Sequence, residues 1–207
     1  MTPLQTLGFL LGASFASGLN LYATVSALGL LHRYHFIQLP PQLDILAHPI
    51  VLGIGIVLYV AEFIADKVPW FDSVWDVIHT FIRPPAAALL AFAAVGNVPD
   101  AWRIGAALLA GTVALTSHGA KASTRAAANT SPEPFSNWAL SLAEDGIAVF
   151  LVWMATTHPI LTIVIVALLA VIAIVIIVKL FGLLRRVLRR VFSGPKQALN
   201  PQNPSSA

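Results

Sequence analysis

The chain has no cysteine, which excludes disulfides, thiolate nucleophiles and cysteine-based metal sites; any metal would have to use Asp, Glu or His. Charge is scarce too. Only 10% of the 207 residues are Asp, Glu, Lys or Arg, against about a quarter in an ordinary soluble domain. Set beside 57% hydrophobic residues and a mean hydropathy of +0.81, that shortfall indicates a polytopic membrane protein. Recognisable catalytic signatures are also missing: there is no HExxH, no Ser-His-Asp set and no phosphatase-like motif. The isoelectric point near 9.6 reflects in large part the run Arg185, Arg186, Arg189 and Arg190 beside the last apolar segment, which points to anionic lipid and not to nucleic acid.

Crossing the hydrocarbon takes about 20 helical residues, and by that length the sequence predicts an all-α bundle of about six transmembrane helices over residues 1–192. The segments run from Leu4 to Leu31, Pro49 to Ala65, a third reaching Gly96, Ala101 to Ala128, Trp138 to Thr157 and Pro159 to Leu184. Pro84 to Gly96 is too short alone, so the third helix is expected to begin near Asp72 and to kink at Pro84-Pro85. Ala13-Ser14-Phe15-Ala16 resembles a cleavage site, but no basic residue precedes it and apolar sequence continues to Leu31, so an uncleaved first helix is expected. Residues 193–207, after Ser193-Gly194-Pro195, read as a disordered cytoplasmic tail. With both termini inside, Lys67, Arg83, Lys121, Arg125 and the C-terminal arginines fall on the cytoplasmic side of a bacterial inner membrane, and Arg33 and Arg103 outside. A three-plus-three inverted repeat is admitted by setting Ser17–Tyr22 against His118–Ser123; the alternative is that these small residues simply let helices pack closely.

The polar residues inside this apolar chain carry the chemistry. Asp72, Asp76, His79 and Arg83 step by four, three and four, so a helix would project all four into one wedge about 60° wide. Glu62 and Asp66 lie one turn apart at the end of the second segment, where the helix dipole disfavours negative charge, so a cation must compensate them; Lys67, Arg83, Lys121 and Arg125 are the candidates. Glu144 and Asp145 sit inside an apolar span, where each ionised carboxylate costs roughly 3 kcal/mol or more, and being about 100° apart they must serve different partners. Six acids against four bases leave such a cluster negative by two, favouring a cation or a proton over an anion. Asp72, Asp76 and His79 are also weak candidates for a divalent cation, which nothing in the sequence requires. His118 is a candidate proton relay or packing histidine, and Asn20 a candidate ion ligand at a broken helix or an interhelical hydrogen-bonding group.

The motifs SGLNLYATV, EFIADKVPWFDSVWDVIHTFIRPPA and SHGAKASTRAAANTSPEPFSNWALSLAEDG resemble a family of small bacterial integral membrane proteins known only as domain of unknown function family 4126. The resemblance covers Leu4 to Thr157, leaves the last helix outside, and implies no activity. Three readings stay open. The residues point first to a secondary transporter or ion-conducting protein whose site is Asn20, Glu62, Asp66, Lys67, Asp72, Asp76, His79, Arg83, His118, Lys121, Arg125, Glu144 and Asp145. The alternatives are a membrane scaffold held by a structural charge network and a lipid-phosphate enzyme using Arg83, Lys121 and Arg125. A homo-oligomer is compatible with all three.

Overall fold

The structure, a computed structural model, describes residues 1–68, 70–130 and 134–192. Among them every regular element is helical. The α-helices are α1 Pro3–Leu19, α2 Leu21–Arg33, α3 Pro49–Ala65, α4 Phe71–Thr80, α5 Arg83–Ala94, α6 Asp100–Ala128, α7 Pro134–Thr157 and α8 Pro159–Phe192, with a 3-10 segment at Pro41–Ala47. Their starts carry ordinary signals. Thr2 and Gln5 form a capping box on α1, His48 caps α3, and prolines occupy the first turns of α1, α3 and α5.

From Gly8 to Leu19 nearly every residue of α1 is buried, so this helix is the centre of the bundle and not a lipid-facing span. It packs on α5, α6, α7 and α8. Phe9, Ala13 and Ala16 meet a core completed by Ala148, Leu151 and Val152 of α7. Gly18 permits the closest approach: a Cβ there would collide with Ser117 Oγ and the Ala114 carbonyl of α6. By contrast Ile50, Ile54 and Val57 of α3 and Val164, Leu168 and Val171 of α8 are exposed, as a lipid-facing surface requires.

The first predicted span is two helices that reverse direction. Asn20, extended at φ −148° and ψ 104°, separates α1 from α2. Met1 and Thr6 line the same small cavity as Gln38, Leu39 and Gln42, just past the end of α2. If α2 continued along α1, its end would lie about 45 Å from Met1, and the five residues 34–38 reach at most about 18 Å. The chain therefore enters along α1, turns at Asn20 and returns along α2. Ser26 and Gly29 on α2 then face Gly55 and Leu52 on the antiparallel α3.

The hairpin bears on where the two ends of the chain lie in the bundle. Gly8 lies against Pro159 at the start of α8, and Gly119 of α6 lies against Ile177 far along it, so α8 runs from the Met1 end of the bundle to the opposite end. The described N-terminus and the end of α8 therefore lie at opposite ends of the bundle. Nor do six helices qualify as spans: α7 and α8 are long and apolar enough alone, and the count reaches four if the bent pairs Pro41–Ala47 with α3 (64°) and α4 with α5 (44°) are each one span. The kinked third helix is thus present, broken at Phe81-Ile82, with Arg83 between the break and the two prolines. The inverted repeat is not seen, because α6 runs unbroken through the stretch matched to the Asn20 break. The predicted tail, residues 193–207, and the side chains of Arg189 and Arg190 fall outside the described residues.

Candidate functional site

Where the hairpin turns, two carbonyls lose their helical donors. The Gly18 and Leu19 carbonyls would bond amides four residues on, but the chain bends at Asn20 and the Ala23 amide is taken by Asn20 Oδ1 at 2.9 Å. Cations fill the gap. Arg83 Nη1 donates to the Gly18 carbonyl at 3.1 Å and Lys121 Nζ to the Leu19 carbonyl at 3.0 Å. Both therefore meet the negative end of the α1 dipole.

Around these cations the predicted residues assemble. Arg83, fully buried, gives Nη2 to Glu62 Oε1 at 2.8 Å and lies 3.6 Å from Asp76 Oδ1. Lys121 donates to Glu62 Oε1 at 3.2 Å and Asp66 Oδ2 at 3.0 Å, with Glu144 Oε2 at 3.5 Å. Arg125 binds Asp66 Oδ2 at 2.9 Å, the Asp66 carbonyl at 2.8 Å and Glu144 Oε2 at 2.6 Å, with Asp72 Oδ2 3.9 Å away. Glu144 and Asp145 do serve different partners: Asp145 accepts from Asn20 Nδ2 at 2.8 Å and from the Tyr59 hydroxyl at 3.2 Å.

The two histidines are fixed by what surrounds them. A guanidinium cannot accept a hydrogen bond, so the 2.8 Å contact between Arg83 Nη1 and His118 Nδ1 requires a bare Nδ1 and places the proton on Nε2, beside the Asp76 carbonyl and Thr80 Oγ1. His118 is thereby held neutral while Arg83 stays in place. His79 has the opposite tautomer: Nδ1–H donates to the Trp75 carbonyl at 2.8 Å and Nε2 accepts from the Tyr22 hydroxyl at 3.1 Å, with Trp75 stacked on the ring.

Profile comparison decides the family. The domain of unknown function DUF4126 matches residues 7–179, well over half of the chain and into α8, further than the motifs alone suggest. The chain belongs to the DUF4126 family. No curated protein and no solved structure matches it. The matched segment contains the whole cluster of this DUF4126 protein.

Lys67 stands apart from the cluster: its Nζ bonds the Phe63 carbonyl at 3.1 Å and sits over the Phe63 ring, and partial burial lowers its pKa. The ion-paired cluster therefore sets six carboxylates against three cations, a formal excess of three acids among the described residues. Asp72, Asp76 and His79 do not converge on a metal, and no group of three acidic or histidine side chains among the described residues is arranged to hold one. Asp72 instead takes two hydrogen bonds from Asn129 Nδ2, at 2.8 and 3.0 Å. Asn129, Tyr22, Tyr59 and Thr80 join the site without having been singled out. Tyr59 had a legible signal, lying one helical turn before Glu62.

Proposed function

We propose that this DUF4126 protein is a small secondary transporter or ion-conducting protein for a cation or small solute, with the buried charge cluster at the tip of the α1–α2 hairpin as its site. The observation that carries this reading is the imbalance of that cluster. Buried structural charges are ordinarily paired, yet here six carboxylates share three cations, and four carboxylate oxygens, Glu62 Oε2, Asp66 Oδ1 and both of Asp76, receive no hydrogen bond from the described residues. Intramembrane acids with unfilled acceptor capacity suit transient binding of a proton or cation. The broken helix supports the same reading, since helix-end carbonyls beside carboxylates are a usual setting for transported cations.

Counting α3, the α4–α5 pair, α6, α7 and α8 as crossings gives five, plus the hairpin. In a bacterial inner membrane the basic bias then puts Lys67, Arg185, Arg186, Arg189 and Arg190 in the cytoplasm, the last four against anionic lipid, and the N-terminus outside with Arg33 and Arg103.

A scaffold role is the second reading, favoured by the close pairing of Arg125 with Asp66 and Glu144. The lipid-phosphate reading loses ground because Arg83, Lys121 and Arg125 are all engaged by carboxylates. Flux in proteoliposomes under an imposed pH or cation gradient separates the first two. A transporter gives a flux that Glu144→Gln abolishes while the protein stays folded; no flux above empty liposomes, with Glu144→Gln lowering thermal stability, decides for the scaffold.

A further inference from the structure

Four oxygens from three chain elements converge on one nitrogen, the Lys121 ammonium. They are the Leu19 carbonyl at the end of α1, Glu62 Oε1 and Asp66 Oδ2 at the end of α3, and Glu144 Oε2 on α7, at 3.0, 3.2, 3.0 and 3.5 Å. The first three are the hydrogen bonds an ammonium group can donate and Glu144 adds an ion-pair contact, all well beyond the roughly 2.0–2.6 Å that magnesium or calcium needs. The ring fits a singly charged ion of ammonium size.

Lys121 is not the sole partner of the three carboxylate oxygens. Arg83 fixes Glu62 Oε1 from one side at 2.8 Å, and Arg125 fixes Asp66 Oδ2 and Glu144 Oε2 from the other at 2.9 and 2.6 Å. Leu19 is fixed by the end of a buried helix. Two arginines thus keep the ring assembled whether or not the lysine fills it, which makes it a preorganised site. Asp76 supplies an independent sign of unused capacity. It is 2% exposed, neither of its oxygens receives a hydrogen bond from the described residues, and it shares Arg83 with ring member Glu62. With Lys121 withdrawn, six carboxylates face two arginines, and one monovalent cation restores the formal charge that the lysine supplied.

We propose that the ring of Leu19, Glu62, Asp66 and Glu144 is a binding site for a small ammonium-class monovalent cation, filled here by the side chain of Lys121, and that a free cation enters when Lys121 withdraws. As a binding site it stands by itself; as the identity of the transported species it rests on the transporter reading above.

Removing the tethered occupant tests it. The purified full chain carrying Lys121→Ala is melted in ammonium, methylammonium, sodium and choline chloride at equal concentration, beside the wild type. Ammonium and methylammonium should raise the melting temperature of Lys121→Ala by about 3–6 °C at about ten times the dissociation constant, and leave the wild type unmoved. An equal shift in all four salts, an equal shift in the wild type, or no shift in any salt overturns the site. If Lys121→Ala fails to fold in sodium buffer, its yield of monodisperse protein in ammonium buffer becomes the readout: recovery supports the site, and no recovery overturns it. Methylammonium flux through wild-type proteoliposomes is measured separately. A shift without flux keeps the ring and removes the ammonium-class ion as the transported species; flux without a shift keeps transport and removes the ring.

Discussion

Asn20 and Asp145 lie 125 positions apart in sequence and meet at 2.8 Å, the Asn20 amide donating to the carboxylate from the tip of the hairpin. The same side chain caps α2 through its oxygen, so one residue both ends the turn and fastens it to α7. A hairpin buried in the bundle needs such a fastening, because its open carbonyls have no water to turn to.

Asn20→Ala should therefore destabilise the protein by about 2–4 kcal/mol, the sum of a lost cap and a buried carboxylate deprived of a donor. Asn20→Asp keeps the cap but sets two carboxylates together. Its deficit should shrink as the pH is lowered, because one added proton restores a donor between them. Thermal unfolding of both variants across pH checks this; a deficit in Asn20→Asp that does not vary with pH would remove the proposed contact.

The Arg83–Glu62 pair is fully buried, so removing Arg83 leaves Glu62 with Lys121 as its one remaining cation among the described residues and Asp76 with none. Arg83→Met should cost about 3–5 kcal/mol, and the double variant Glu62→Gln/Arg83→Met clearly less than the two single losses combined. Arg83→Lys should not rescue, since one ammonium cannot reach Glu62, His118 and the Gly18 carbonyl in a guanidinium's geometry. Additive losses in a double-mutant cycle would show that the pair is not coupled.

Much of the site was legible because helical spacing survives folding. Asp72, Asp76, His79 and Arg83 are all buried on one side although the helix breaks between His79 and Arg83, since the 44° bend keeps Arg83 on the cluster. Glu144 and Asp145 part company as a 100° step demands. The reversal at Asn20 was not legible. Gly18-Leu19-Asn20-Leu21 has no proline, and apolar residues flank it on both sides, so composition reads one long span. What makes it a turn is tertiary: Arg83, Lys121 and Asp145 supply the polar partners the broken helix lacks. Lys67 bonds away from the cluster for a simpler reason, since a lysine beyond a helix end reaches its own preceding turn as easily as a distant acid.

The hairpin makes a sharp topological prediction. As the chain has no cysteine, single cysteines at Thr2, Trp102 and Val68 can be labelled in intact cells with a membrane-impermeant maleimide. Thr2→Cys and Trp102→Cys should react from one side and Val68→Cys from the other. Thr2 and Val68 reacting from the same side would restore an uninterrupted first span and remove the hairpin.

Asp76 separates stability from function most cleanly. Its oxygens receive no hydrogen bond from the described residues, so Asp76→Asn removes a buried charge without breaking one, and the stability change should stay within about 1 kcal/mol. If the cluster handles cations, the loss of this unfilled carboxylate should instead cut flux at least tenfold, because the site gives up a full negative charge in a low-dielectric setting. Val77, one position on and 64% exposed, faces away, and Val77→Leu should change neither quantity. The comparison uses the same proteoliposomes and the same melting assay for both variants. Flux through Asp76→Asn equal to that through Val77→Leu would take Asp76 out of the site and leave Glu62, Asp66 and Glu144 to carry it.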